Sequence, residues 1–181
     1  MSEAIVRLKI VLDDTDPLIW RTIEVAADIS LKDLHRIIQG AMGWQDEHLF
    51  AFQLGGQKLA NRVQLADLVA ERIKRLDYLY DMGDSWKHTL RIDKTLAADP
   101  NKTYPRLIDG AGRCPPEDCD GIGGFYAFLE AMDDPQHPDH KDFRDWLGDT
   151  FDPTDMGITQ LNNDLAKIAA RRKGPAVKPQ S

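Results

Sequence analysis

Apolar and polar residues alternate over residues 5–12, with Val6, Leu8, Ile10 and Leu12 to one side and Arg7 and Lys9 to the other, the two-residue period of a half-buried strand. Asp13-Asp14-Thr15-Asp16-Pro17 then supplies turn formers, and residues 19–25 resume a β-branched run, so a hairpin is expected. From Ser30 the period changes. Leu31, Leu34, Ile37, Ile38, Ala41 and Met42 recur at helical spacing up to Gly43, behind a Ser30/Asp33 pair that resembles a capping box, which predicts a helix over 31–42. Phe50, Phe52 and Leu54 face one way in a further strand closed by Gly55-Gly56. Hairpin, helix, strand is the opening order of a β-grasp or ubiquitin-like layout, in which one amphipathic helix covers a mixed sheet.

Leu65, Leu68, Val69, Arg72 and Ile73 predict a second helix over 64–75. The stretch Tyr78-Leu79-Tyr80-Asp81-Met82-Gly83-Asp84-Ser85-Trp86-Lys87-His88 reads as two strands around a tight turn. Beyond the turn Trp86, His88, Leu90 and Ile92 share one face, which sends His88 toward the core or a pocket. Residues 94–103 read as loop and 104–108 as an edge strand, since Pro105 would remove a ladder hydrogen bond. Helical spacing returns over 125–132, 141–147 and 158–170. The pattern therefore predicts an α+β fold: a β-grasp-like amino-terminal sheet, a further hairpin and a helical carboxy-terminal third.

At 181 residues, 42% hydrophobic and 29% charged, the chain suits one core, expected as a single domain over 1–170. No run of about 18 apolar residues and no basic-then-apolar leader is present, which points to a cytoplasmic protein with no membrane partner and reduced cysteines. The net charge of −7 is uneven: residues 109–155 hold thirteen carboxylates against three cations, whereas 165–181 hold five cations and no side-chain carboxylate. Residues 171–181 are expected as a disordered basic tail, the one part suited to touch a nucleic acid, and then weakly.

Chemistry concentrates in two segments. Asp81, Asp84 and His88 lie within eight residues and can ligate a divalent metal, although Asp and Gly in such a turn also serve backbone geometry. Arg113-Cys114-Pro115-Pro116-Glu117-Asp118-Cys119 carries both cysteines of the chain; their spacing fits zinc, which His88, Cys114 and Cys119 with a carboxylate would hold, or else two small buried side chains fixing a loop. Gly121, Gly123 and Gly124 offer an amide-lined anion pocket but lack the Lys-Ser/Thr signature of a phosphate loop. His137-Pro138-Asp139-His140 sits in a proline-rich loop, and no serine stands in a nucleophile elbow.

The run 80–88, the segment 113–119 and Gly123-Gly124-Phe125-Tyr126-Ala127-Phe128-Leu129, followed by Asp134-Pro135-Gln136-His137-Pro138, Trp146 and Phe151-Asp152-Pro153, resemble the Ri-plasmid (pRiA4b) open-reading-frame-three-like family over about residues 5–165. Asp120 stands where such proteins usually carry glycine. The resemblance implies an α+β fold in a prokaryotic, in part mobile-element-borne family, some of whose members carry a resolvase label. That label conflicts with Ser85, which lies between Asp84 and Trp86 in an acidic chain, whereas a serine recombinase needs a serine among arginines. The expectation is a small accessory module binding a ligand or protein partner, its pocket formed by Asp81, Asp84, Trp86, His88, Arg113, Glu117 and Asp118, with Arg113 seeking an anion and Trp86 as a wall. The rival is a metal-dependent hydrolase using Asp81, Asp84, His88 and a cysteine.

Overall fold

A computed structural model of the chain describes residues 4–148 and 150–173. Strands β1 (Ala4–Leu12) and β2 (Ile19–Ala26) form the expected hairpin. Its turn is closed by Thr15, whose hydroxyl donates to the Leu12 carbonyl at 2.9 Å and accepts from the Ile19 amide at 3.0 Å. Helix α1 (Leu31–Met42) begins where predicted: the Ser30 hydroxyl accepts the Asp33 amide at 3.1 Å, and Gly43, at φ +90°, ends it in the left-handed conformation. Leu31, Leu34, Ile37, Ile38 and Ala41 are fully buried against Leu8, Ile10 and Leu12 in one core cluster. At about 1.5–3 kcal/mol per buried aliphatic side chain, that face is what docks the helix.

Strands β3 (Phe50–Leu54), β4 (Gln57–Lys58), β5 (Arg75–Tyr80), β6 (Trp86–Ala97) and β7 (Arg106–Ala111) complete a seven-stranded sheet in the order β4-β3-β5-β6-β1-β2-β7. The α+β class holds, but every pairing is antiparallel, so the mixed sheet of a ubiquitin-like layout does not form. Helix α2 is only Leu65–Ala70: Arg72 turns left-handed at φ +60°, and Arg75 already belongs to β5. Residues 94–97, expected as loop, extend β6, because nine-residue β1 supplies partners as far as Ala97 past an irregularity between Arg7 and Leu8. β7 is an edge strand as expected and starts after Pro105.

Helices α3 (Gly121–Asp133), α4 (His140–Leu147) and α5 (Ile158–Lys173) follow. α5 lies so close to α1 that a Cβ on Gly40 would come within 2.9 Å of Ile168 Cδ1. It runs three residues into the segment read as a basic tail; residues 174–181 lie outside those described. Among the described residues no helix is long and apolar enough to cross a membrane.

Arg21 ties these parts together. Fully buried, it donates to the carbonyls of Ala41, Trp20, Ala111 and Gly112 at 2.8–3.0 Å and to Cys114 Sγ at 3.4 Å. No carboxylate is among these partners; carbonyl dipoles, one at the negative end of α1, carry the charge.

Candidate functional site

Three connections meet at one end of the sheet: residues 44–49 between α1 and β3, the turn 81–85 and the loop 113–120. Asp81 and Ser85 adopt φ of +55° and +57°, and Asp81 Oδ1 accepts the amides of Gly83 at 2.8 Å and Asp84 at 3.3 Å. One oxygen of this largely buried carboxylate therefore builds the turn, as its sequence suggested. The other, Oδ2, stands 3.6 Å from His48 Nε2.

His48 is fixed by its own loop. Trp44 Nε1 donates to the Pro115 carbonyl at 2.9 Å, the Gln45 amide to Glu117 Oε1 at 2.9 Å, the Asp46 amide to Gln39 Oε1 at 3.1 Å and the Glu47 amide to the Tyr80 hydroxyl at 3.2 Å. The Asp46 carboxylate also meets buried His35 at 2.6 Å, and the other nitrogen of that ring meets the Tyr78 hydroxyl at 2.7 Å. The register Phe50 opposite Tyr80 and a bond from the Asp81 amide to the Leu49 carbonyl then bring His48 beside Asp81.

From the third connection, Asp118 Oδ1 lies 3.0 Å and Glu117 Oε2 3.9 Å from His48 Nε2. Tyr80 donates its hydroxyl to Glu117 at 3.1 Å. Burial raises the Glu117 carboxyl, against the Gln45 amide and Tyr80, which lower it; burial and the Glu117 charge push the Tyr80 phenol up, so it remains a donor. His48, Asp81 and Asp118 each direct one ligand atom into a space in which those atoms lie within 4.8 Å of one another. His48 Nε2 is buried and makes no hydrogen bond. One imidazole nitrogen and carboxylate oxygens suit a divalent cation such as zinc or manganese, and the Asp118 side chain, 63% exposed, leaves the outer side open.

The two sequence segments thus meet, but only part of the expected pocket assembles. Asp81, Glu117 and Asp118 converge. Asp84 stands behind them, its Oδ2 buried without a partner and its backbone against Gly121. Trp86 is fully buried beside Trp44, with its Nε1 unpartnered, and is a core residue rather than a pocket wall. His88 is 1% exposed, meets the Trp86 carbonyl through Nδ1 at 3.0 Å and abuts the Trp44 edge; burial drives its pKa down to about 4. Cys114 packs on Met42 and accepts from Arg21, and burial pushes its thiol up to about 11; burial, with Asp84 nearby, pushes Cys119 up to about 12. Among the described residues His88, Cys114 and Cys119 do not converge as a ligand set. Both cysteines behave as small buried side chains.

Arg113 turns away from the cluster, its guanidinium 4.6 Å from the Phe151 ring centre, and lines a groove of about 520 Å³ with Trp44, Pro115, Pro116 and Glu117. The glycine cluster forms the first turn of α3, and at two of its three positions side chains are excluded by contact: a Cβ on Gly121 would fall 2.6 Å from the Asp84 carbonyl, and one on Gly124 1.8 Å from that of Cys119. His48 carried no signal in the hydrophobic pattern. Only the pairing of β3 with β5, which sets residue 48 beside residue 81, could have found it.

Three comparisons bear on this arrangement. The chain is 35% identical over 186 residues to the uncharacterized protein y4hQ of Sinorhizobium fredii (strain NBRC 101917 / NGR234), covering 94% of this chain and 95% of that one. It resembles the crystal structure of the protein of unknown function MM3350 from Methanosarcina mazei Go1 with a TM-score of 0.81 and 30% identity, over 88% of this chain and 98% of the other. The description "Plasmid pRiA4b ORF-3-like protein" matches residues 4–160, and with that match over most of its length the chain belongs to the plasmid pRiA4b ORF-3-like family.

Proposed function

We propose that the chain is a small divalent-cation-binding module whose ligands are His48, Asp81 and Asp118, with Glu117 held beside them by Tyr80 and Gln45. The observation that carries this reading is His48 Nε2: a buried nitrogen without a hydrogen bond, 3.0–3.9 Å from three carboxylates. A cation at that point would give the nitrogen a ligand in line with its lone pair and would neutralise the carboxylates gathered around it. Titration of metal-stripped protein with zinc and with manganese tests it. One cation per chain is expected, with at least tenfold weaker binding in His48→Ala and in Asp81→Asn, whose amide oxygen preserves the turn. No saturable binding at about 1 mM cation, or equal affinity in both variants, would overturn the reading.

The hydrolase reading survives with a changed residue set. Three protein ligands and an exposed Asp118 leave a coordination position for water, the arrangement of catalytic rather than closed sites. Cation-dependent hydrolysis of an activated ester such as p-nitrophenyl acetate, absent in Asp118→Asn, is its expected signature. Cation binding with no turnover of ester or phosphoester probes would leave the binding module alone standing.

A further inference from the structure

The face of the sheet turned away from α1 has a charge pattern that the net charge conceals. Strand alternation sends the odd-numbered residues of β1 and their partners to that face. Register places Arg91 directly between Lys9 and Arg75, so three cations form one row across β5, β6 and β1, and Arg7 opposite Lys94 continues the pattern in the next row. Arg75, Arg91 and Lys94 are exposed, and Arg7 and Lys9 are half-buried. Cross-strand neighbours have Cβ atoms about 5 Å apart, where like charges destabilise a sheet.

Local carboxylates answer only part of this charge. Arg7 is held by Glu24, which Arg106 shares, and Arg75 is held by Asp77 at 3.1 Å. Exposed Asp93 follows Ile92 in β6. Lys9 sits 4.1 Å over the half-buried Trp20 ring on β2. No ion-pair partner within 4 Å is found for Arg91 or Lys94 among the described residues. The large exposed apolar side chains, Leu18, Leu49, Met82, Tyr126, Trp146 and Ile158, all lie outside the sheet strands, so the face lacks the groups that would insert into a bilayer.

We propose that this face binds single-stranded nucleic acid, with Arg91, Lys94 and, swung off the Trp20 ring, Lys9 on phosphates and Trp20 as the base-contacting ring. An open sheet face with cations and one aromatic tracks a flexible strand, whereas reading a duplex groove calls for a projecting helix or ribbon. The unfavourable cation rows are what a polyanion would relieve. The site is separate from the cation cluster and does not depend on it.

The test is fluorescence anisotropy of a labelled oligothymidylate about 20 nucleotides long against the full chain, in which residues 171–181 stay in place. A Kd of roughly 1–100 μM at ~50 mM salt is expected, with log K falling against log salt at about −0.7 per phosphate contact. Arg91→Glu/Lys94→Glu should weaken binding at least tenfold without lowering the melting temperature, and Asp118→Asn should leave it unchanged. No binding at ~100 μM, or equal binding by the double variant, would overturn the proposal, the latter result pointing to the tail. Tighter binding of the matching duplex, or binding of phosphatidylserine vesicles in place of the oligonucleotide, would overturn it as well.

Discussion

Replacing Arg91 by glutamate should stabilise the protein, an unusual expectation for an exposed strand position. Arg91 faces Lys9 on one side and Arg75 on the other, both in direct register. At about 5–7 Å in water each like-charge pair costs roughly 0.6–0.8 kcal/mol before screening, and reversal turns each cost into a similar gain. Two reversed pairs would give close to 3 kcal/mol, which a Debye length of about 10 Å at 0.1 M salt cuts to below 2. Holding the side chains in place, and the competition of Asp77 for Arg75, reduce the net to about 1 kcal/mol, in line with measured cross-strand pairs. For a chain of this length that is a rise in Tm of about 2–4 °C. Thermal melts of wild type, Arg91→Gln and Arg91→Glu at low and high salt test it: Gln should give about half the rise, and both increments should fade by about 1 M salt. A variant melting at or below wild type in low salt would show that the cation rows carry no strain, removing one support for a polyanion on that face.

Two further outcomes follow from buried groups. His88 has a folded pKa near 4 against an ordinary 6.5, so between these values the unfolded chain binds the extra proton. Its contribution is therefore fully present above about pH 6.5 and is lost as pH falls toward 4, by up to about 3 kcal/mol; urea denaturation across that range should fall less steeply for His88→Phe, and parallel curves would count against a neutral buried imidazole. Gly121→Ala meets both a φ of +68° and a 2.6 Å approach to the Asp84 carbonyl, so it should cost about 2–4 kcal/mol and weaken cation binding by separating the two segments; a loss under about 0.5 kcal/mol in urea would contradict that packing.

The first hairpin, α1, β3 and the hairpin around Asp81 were legible because each has one face in the core and one outside, which writes its period into the sequence. Pairing between distant strands leaves no such trace, and so the pairings of β1 with β6 and of β3 with β5 were not. The candidate site divides along the same line. Asp81, Glu117 and Asp118 were found as turn and loop carboxylates, but what they converge on is His48, in a polar loop with no period. His88 misled for the opposite reason: its regular place on an apolar face marked it as buried, and burial is what removes it from the chemistry. The cation rows were equally hidden, since like charges on separate strands become neighbours only once the register is known.

The loop that delivers His48 is pinned at Trp44, Gln45, Asp46 and Glu47 in succession. A cation arriving there would find its nitrogen ligand already in position, so little ordering entropy would be spent on uptake, and free and loaded forms should superimpose around residues 44–48. Affinity would then be governed less by loop closure than by mutual repulsion among the carboxylates. A nitrogen ligand fixed in that way favours ions of matching radius, because it cannot move in toward a smaller one.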